Sequence, residues 1–139
     1  MMVAAAIDGE DRFSVAQSNG GLFIEMAREF KELAEHGPRV MILCGRDAAE
    51  RTIGWDYGDG PPIARQLHEF ELLVAARSGD FDPPFGVRSR IHALPLASDM
   101  GHISATEVRR RIEAGQEWRH LVPEAIRDQV RIFYSRPLS

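Results

Sequence analysis

Apolar side chains recur at Phe23, Met26, Ala27, Phe30, Leu33 and Ala34, a spacing that lines one face of a helix. Gly37-Pro38 then stops it. Val40 to Cys44 is an unbroken apolar run, the pattern of a strand buried on both faces of a parallel sheet. Ile63, Leu67 and Phe70 follow at i, i+4, i+7 and predict a second helical region. Leu72–Ala76 and Ile91–Ala97 read as further strands, and Phe13–Ala16 as a short one closed by the turn residues Ser18 to Gly21. Two helices end the chain, over Ala105–Ala114 and Pro123–Tyr134, the second opening with proline at its first position. Gly79–Arg90, rich in glycine, proline and charge, reads as a surface loop. Strands alternating with helices predict an α/β sandwich on a mostly parallel sheet. Met1 to Ile7 reads as the end of a helix and enters Phe13 with no βα unit before it.

Composition narrows the function classes. A chain of 139 residues suits a single domain with a real core, and no linker divides it. A net charge of −4 argues against a general nucleic-acid surface, but not against a local pocket for a small anionic nucleotide. Cys44 is the only cysteine, which excludes a disulfide framework and a thiolate metal cluster and makes a reduced, cytoplasmic setting the default. The apolar opening is too short for a membrane span and has no basic residue before it, unlike a signal peptide.

Candidate chemistry concentrates in Ile103-Ser104-Ala105-Thr106-Glu107-Val108-Arg109. Ser104-x-x-Glu107 has capping-box spacing, and Ile103 and Val108 stand where a hydrophobic staple would close. The N–H groups and positive dipole end of such a helix favour an anion, with the Thr106 hydroxyl and the Arg109 guanidinium close by. The plainer alternative is a well-capped helix followed by a solvated Arg109-Arg110-Arg111 run. Gly45-Arg46-Asp47 follows the most apolar strand, at the carboxyl end where α/β sheets bind ligands. Glycine there permits close approach, and Asp47 can accept from ribose hydroxyls or merely cap a helix. Trp55, between Gly54 and Gly58, offers an indole for stacking on a flat ring, or a loop anchor. Trp118 is expected to pack between the last two helices. Arg77, at a strand end, suits a carboxylate or phosphate. The five histidines lack metal-ligand spacing, so no protein-held metal is expected, and no nucleophile elbow occurs.

Ile103 to Arg109, with Gly115 and Leu121-Val122-Pro123 downstream, resembles the C-terminal I-S-S-T-x-x-R signature of the nicotinate-nucleotide adenylyltransferases. These belong to the HxGH nucleotidyltransferase superfamily. Gly45-Arg46-Asp47, Trp55 and Arg77 fall in that family's order. The resemblance implies a Rossmann-like, three-layer fold. The reaction it implies transfers AMP from ATP to a mononucleotide and releases pyrophosphate, with Mg²⁺ arriving on the ATP. By the same resemblance Ile103, Ser104, Thr106 and Arg109 would meet the ATP phosphates, and Arg109 would offset transition-state charge. Gly45 and Asp47 would line the nucleotide site, Trp55 would stack on the pyridine ring, and Arg77 would join the pocket. ATP and a mononucleotide are thus the expected partners, with neither nucleic acid nor membrane.

Three departures qualify that expectation. Ala105 replaces the second serine, Trp55 sits between Ile53-Gly54 and Asp56-Tyr57-Gly58, and no H-x-G-H occurs anywhere. Gly79-Asp80-Phe81-Asp82-Pro83-Pro84-Phe85-Gly86 looks like the family's N-terminal G-x-F-D-P-P-H-x-G-H. It has Phe85 where histidine belongs, lies mid-chain, and has no helix pattern after it, so it reads as coincidence. The first βα portion of the fold is therefore expected to be absent, leaving half of a phosphate clamp. A missing sheet portion would expose an apolar edge and invite homo-oligomerisation. Cytidylyl or pantetheine-phosphate adenylyl transfer and a non-catalytic nucleotide-binding or interaction module are the alternatives.

Overall fold

The computed structural model describes residues 2–76, 79–97 and 99–134. They form two compact units, one of residues 18–101 and the other uniting the two ends of the chain, residues 1–17 and 102–139.

The unit of residues 18–101 is built on three parallel strands in the order β1 (Met41–Gly45), β2 (Glu71–Ala75), β3 (Ile91–Ala93). Met41 to Gly45 pair in register with Glu71 to Ala75, and Leu72 to Val74 with Ile91 to Ala93. Helix α2 (Phe23–Leu33) and helix α3 (Arg46–Gly54) supply Ile24, Ala27 and Ala49 to a core with Leu67, Phe70, Leu72, Val74, Val87 and Ile91. Gly20, ahead of α2, has no room for a side chain, since a Cβ there would stand 2.5 Å from that of Glu25. The Glu25 carboxylate in turn accepts from the N–H groups of Gly21 (2.8 Å) and Leu22 (2.9 Å), which anchors the start of the helix. Midway along α2, Arg28 grips Glu69 through two hydrogen bonds of 3.0 and 2.7 Å.

The unit formed by the chain ends carries helix α1 (Met2–Ala6), helix α5 (Ala105–Glu113), two short 3-10 turns and helix α6 (Arg127–Tyr134). Its own core is Val108, Trp118, Leu121 and Val130, with Met2, Ile103, Ile112, Val122, Ile126 and Tyr134 packed around them. Trp118 therefore joins α5 and α6, as expected. Helix α4 (Ile63–Gln66), between α3 and β2 in sequence, belongs to the first unit.

An α/β fold on a parallel sheet flanked by helices is what the alternation predicted. Several elements differ in detail. Phe13–Ala16 is not a strand; Phe13 and Val15 are exposed, and no neighbouring strand takes up their backbone groups. β1 is an edge strand of the described sheet, with Met41 and Leu43 exposed, so its apolar run is not buried on both faces. The face of α2 that packs inward is centred on Ile24 and Ala27, while Phe30 and Leu33 lie outward. Ile63 to Phe70 holds only one turn of helix, because its apolar residues enter the core through the turns that follow. β3 stops at Ala93, two residues ahead of Pro95. The last helix begins as a 3-10 turn and becomes α-helical only at Arg127. α3 carries only Ala48, Ala49 and Ile53 as apolar residues before its terminal glycine, too few for a legible face, so its helical pattern is weak.

Candidate functional site

All three strands point their carboxyl ends the same way, and β1 ends at Gly45. The backbone at Gly45 is ordinary extended chain, and a Cβ there would meet nothing within 4 Å, so the space above the strand end is open. Gly45 is the N-cap of α3, which places Asp47 in the first turn rather than at the cap. Its exposed carboxylate makes no hydrogen bond among the described residues. Arg46 bonds Glu50 at 2.7 Å, and its guanidinium reaches to Gly79, where a Cβ would stand 3.3 Å away. The loop after β2 thus borders the start of α3. Beyond β2 and β3 lies a cavity of about 690 Å³, bordered by Ala76, Asp80, Phe81, Asp82, Arg88 and Leu94. The Gly79–Arg90 segment supplies that wall and also sends Val87 into the core, with Phe81 packed against it. No helix follows its G-x-F-D-P-P motif, as expected; a 3-10 turn leads directly into β3.

Trp55 caps the far end of α3, about 12 Å along the helix axis from Asp47. The residue is 54% exposed and is not among those packed in or against the core. It lines a cavity of about 320 Å³ with Leu22, Phe23, Arg51, Thr52 and Tyr57. The Tyr57 hydroxyl donates to the Thr52 carbonyl at 2.8 Å, and partial burial raises its pKa, so it stays protonated. Asp56 Oδ1 accepts from the Gly58 N–H at 2.9 Å, and Gly58 adopts φ +56°. These two bonds fold the Gly54–Gly60 turn beside the indole. Tyr57 was legible only as a neighbour of Trp55, and Arg51 carried no signal of its own in the sequence. Arg51 precedes Trp55 by four residues, a spacing that sets both on one side of a helix end, but only once α3 is known to be helical.

In the other unit, Ser104 is the N-cap of α5 and its Oγ accepts from the Glu107 N–H at 3.1 Å. The return half of the capping box is not formed. Glu107 instead accepts from Arg110 (2.8 and 2.8 Å) and Arg111 (2.7 Å), and Arg110 foremost holds its carboxyl down at about 2. Arg110 and Arg111 are therefore paired rather than simply solvated. Ile103 and Val108 belong to one apolar cluster, as a staple requires. The N–H groups of Ala105 and Thr106 have no protein acceptor among the described residues. Arg109 is exposed, 3.4 Å from Thr106 Oγ1 and 6.0 Å over the Tyr134 ring.

Gly45, Asp47 and Trp55 thus belong to one unit, and Ile103, Ser104, Thr106 and Arg109 to the other. Arg77 lies outside the described residues. Among the described residues no group of three or more His, Cys, Asp or Glu side chains is placed to hold a metal ion, and no helix is long and apolar enough to cross a membrane.

No family model matches the chain. It is 29% identical over 136 residues to a probable nicotinate-nucleotide adenylyltransferase of Rubrobacter xylanophilus. That match takes in 91% of this chain and 61% of the relative, so the chain spans less than two thirds of that relative's length. The chain is thus similar over most of its length to a nicotinate-nucleotide adenylyltransferase, with a parallel α/β sheet and an Ile103–Arg109 segment that resembles that family's signature, and no H-x-G-H occurs in its 139 residues.

Proposed function

We propose that the chain is a nucleotidyltransferase-type domain that binds a mononucleotide and Mg²⁺-ATP. In the reaction it serves, an oxygen of the mononucleotide phosphate attacks the α-phosphorus of ATP. The bond to pyrophosphate breaks, and the new P–O–P bridge makes a dinucleotide, as in NAD biosynthesis. The observation that carries this reading is the exposed Trp55 indole, held at the end of a helix that begins at a strand's carboxyl end. A flat heteroaromatic ring stacks there, while Gly45 and Asp47 leave an open, acceptor-bearing surface for a ribose.

The start of α5 supplies the phosphate chemistry. Two N–H groups without an acceptor among the described residues and the helix dipole favour the triphosphate, and the Thr106 hydroxyl and Arg109 lie within one turn. Arg109 opposes the charge that gathers on the phosphoryl oxygens during transfer. Mg²⁺ travels with ATP as part of the substrate. A cytoplasmic setting fits the lone, half-buried Cys44.

The absence of H-x-G-H from all 139 residues supports a second reading, a module that binds nucleotides without turning them over. Calorimetry with Mg²⁺-ATP, nicotinate mononucleotide and the dinucleotide, together with a pyrophosphate-release assay, separates the two. Binding with release supports the transferase. Binding without release supports the module, and no binding to any of the three overturns both.

A further inference from the structure

The amino end of the sheet carries more hydrogen-bond donors than its own acceptors use. Lys31, Arg39, His68, Glu69, Glu71 and Arg90 border a depression of about 130 Å³ there. It lies where β2 begins, roughly 13 Å along the strand from the carboxyl end. Both carboxylates on its wall are engaged. Glu69 takes two hydrogen bonds from Arg28, and Glu71 takes two from Arg39 with the His92 ring against the same group. The donors are not exhausted. Lys31 gives one hydrogen to the Glu69 carbonyl and Arg39 gives two to Glu71, and each keeps others. Arg90 stands 3.5 Å from Glu71, and its guanidinium makes no closer polar contact among the described residues. The exposed His68 ring has no hydrogen-bond partner among them. Arg28, Lys31, Arg39 and Arg90 thus share two carboxylates, leaving a local positive excess in a chain of net charge −4.

We propose that this depression is an anion site, separate from the carboxyl ends of the strands, and that it takes a single phosphate group, free or at the end of a phosphomonoester. A phosphate offers chiefly acceptor oxygens, which a wall of spare donors and spent carboxylates satisfies. Arg39 precedes β1 and Arg90 precedes β3, so the parallel pairing sets them on either side of the start of β2. Glu71 lies between the two, accepting from Arg39 and close to Arg90, so the guanidinium groups are drawn together before a ligand arrives. The two carboxylates oppose an anion, and Arg28, Arg39 and His92 offset them. The volume equals about four water molecules at ~30 Å³ each, which admits one phosphate group and not a nucleotide. Without any ligand, Arg90 would only add charge to the tie that Glu71 makes between the strands.

The test is calorimetric titration of the full chain with inorganic phosphate and with glycerol 3-phosphate at fixed ionic strength, with sodium chloride as the reference salt and thermal melting alongside. Saturable phosphate binding is expected. Arg90→Gln should weaken it about tenfold, the loss of one charge-assisted contact, and Arg90→Lys should retain part of it. His68→Ala, which removes no hydrogen bond among the described residues, should weaken it about threefold. Arg109→Ala should leave it unchanged, which separates this site from the start of α5. Glycerol 3-phosphate binding as tightly as phosphate extends the site to esters, whereas phosphate binding alone restricts it to the free ion; either supports the site. No saturation beyond that of chloride overturns the proposal. So does phosphate affinity that falls in Arg109→Ala but stays unchanged in Arg90→Gln and His68→Ala. A lower melting temperature of Arg90→Gln with phosphate affinity intact also overturns it and assigns Arg90 to the Glu71 tie alone.

Discussion

Single side chains divide here into those that hold a turn and those that are free to meet a ligand. Ser104 is of the first kind. Its Oγ satisfies the Glu107 N–H, so Ser104→Ala should cost about 1 kcal/mol, read from the urea midpoint. Arg109 is of the second kind, with only a 3.4 Å contact to Thr106 and the Tyr134 ring beneath it. Arg109→Ala should shift stability by no more than about 0.5 kcal/mol. The same variant should weaken ATP binding in calorimetry. Unfolding with ATP affinity unchanged would make its role structural. Trp55 is also free, and Trp55→Ala should remove about 1–3 kcal/mol of mononucleotide binding, the range for a base stacked on an aromatic ring.

At the level of elements, the start of β2 depends on one carboxylate. Glu71 is 7% exposed and accepts from Arg39 at 2.8 and 2.7 Å, with the His92 ring against its other side and Arg90 at 3.5 Å. It thereby ties the approach to β1, the start of β2 and the middle of β3. Arg39 first, then His92, holds its carboxyl at about 2, against an ordinary 4.5. Because the folded value lies below the unfolded one, the stabilisation is complete above pH 4.5 and is lost as pH falls from there toward 2. Denaturant midpoints measured across that window should fall with pH, and less steeply in Glu71→Gln. At neutral pH, Glu71→Gln should cost about 1–3 kcal/mol, in the range for hydrogen bonds to a charged group. A flat profile in the native chain would refute the role given to this carboxylate.

Across the whole molecule, two separate cores stabilise two units, one around the sheet and one around Trp118. β1 is paired on one side only among the described residues, and Met41 and Leu43 are exposed beside its open backbone groups. Such an edge is a template for self-association. Leu43→Lys should reduce concentration-dependent light scattering while leaving the melting temperature nearly unchanged. If scattering is unaffected, the edge is not what associates.

The chain determines by itself whatever a local period or a capping residue encodes. Helix α2, the three parallel strands to within a residue or two at most ends, the Ser104 cap and the identity of the Ile103–Arg109 signature were legible because each is written in neighbouring residues. What depends on distant partners was not. Phe13–Ala16 has a strand's composition and no strand to pair with, and an apolar run at β1 cannot say whether a neighbour covers both of its sides. Glu107 has a capping box's spacing, but Arg110 and Arg111 compete for its carboxylate at closer charge-assisted contacts. α3 became visible only through its packing, and with it came the meeting of Arg51 and Trp55 across one turn. That Arg51 and the exposed Trp55 line one cavity is therefore a product of tertiary structure: sequence supplies the residues, and the burial of Ala49 fixes which side of the helix faces the core and so leaves the other side open.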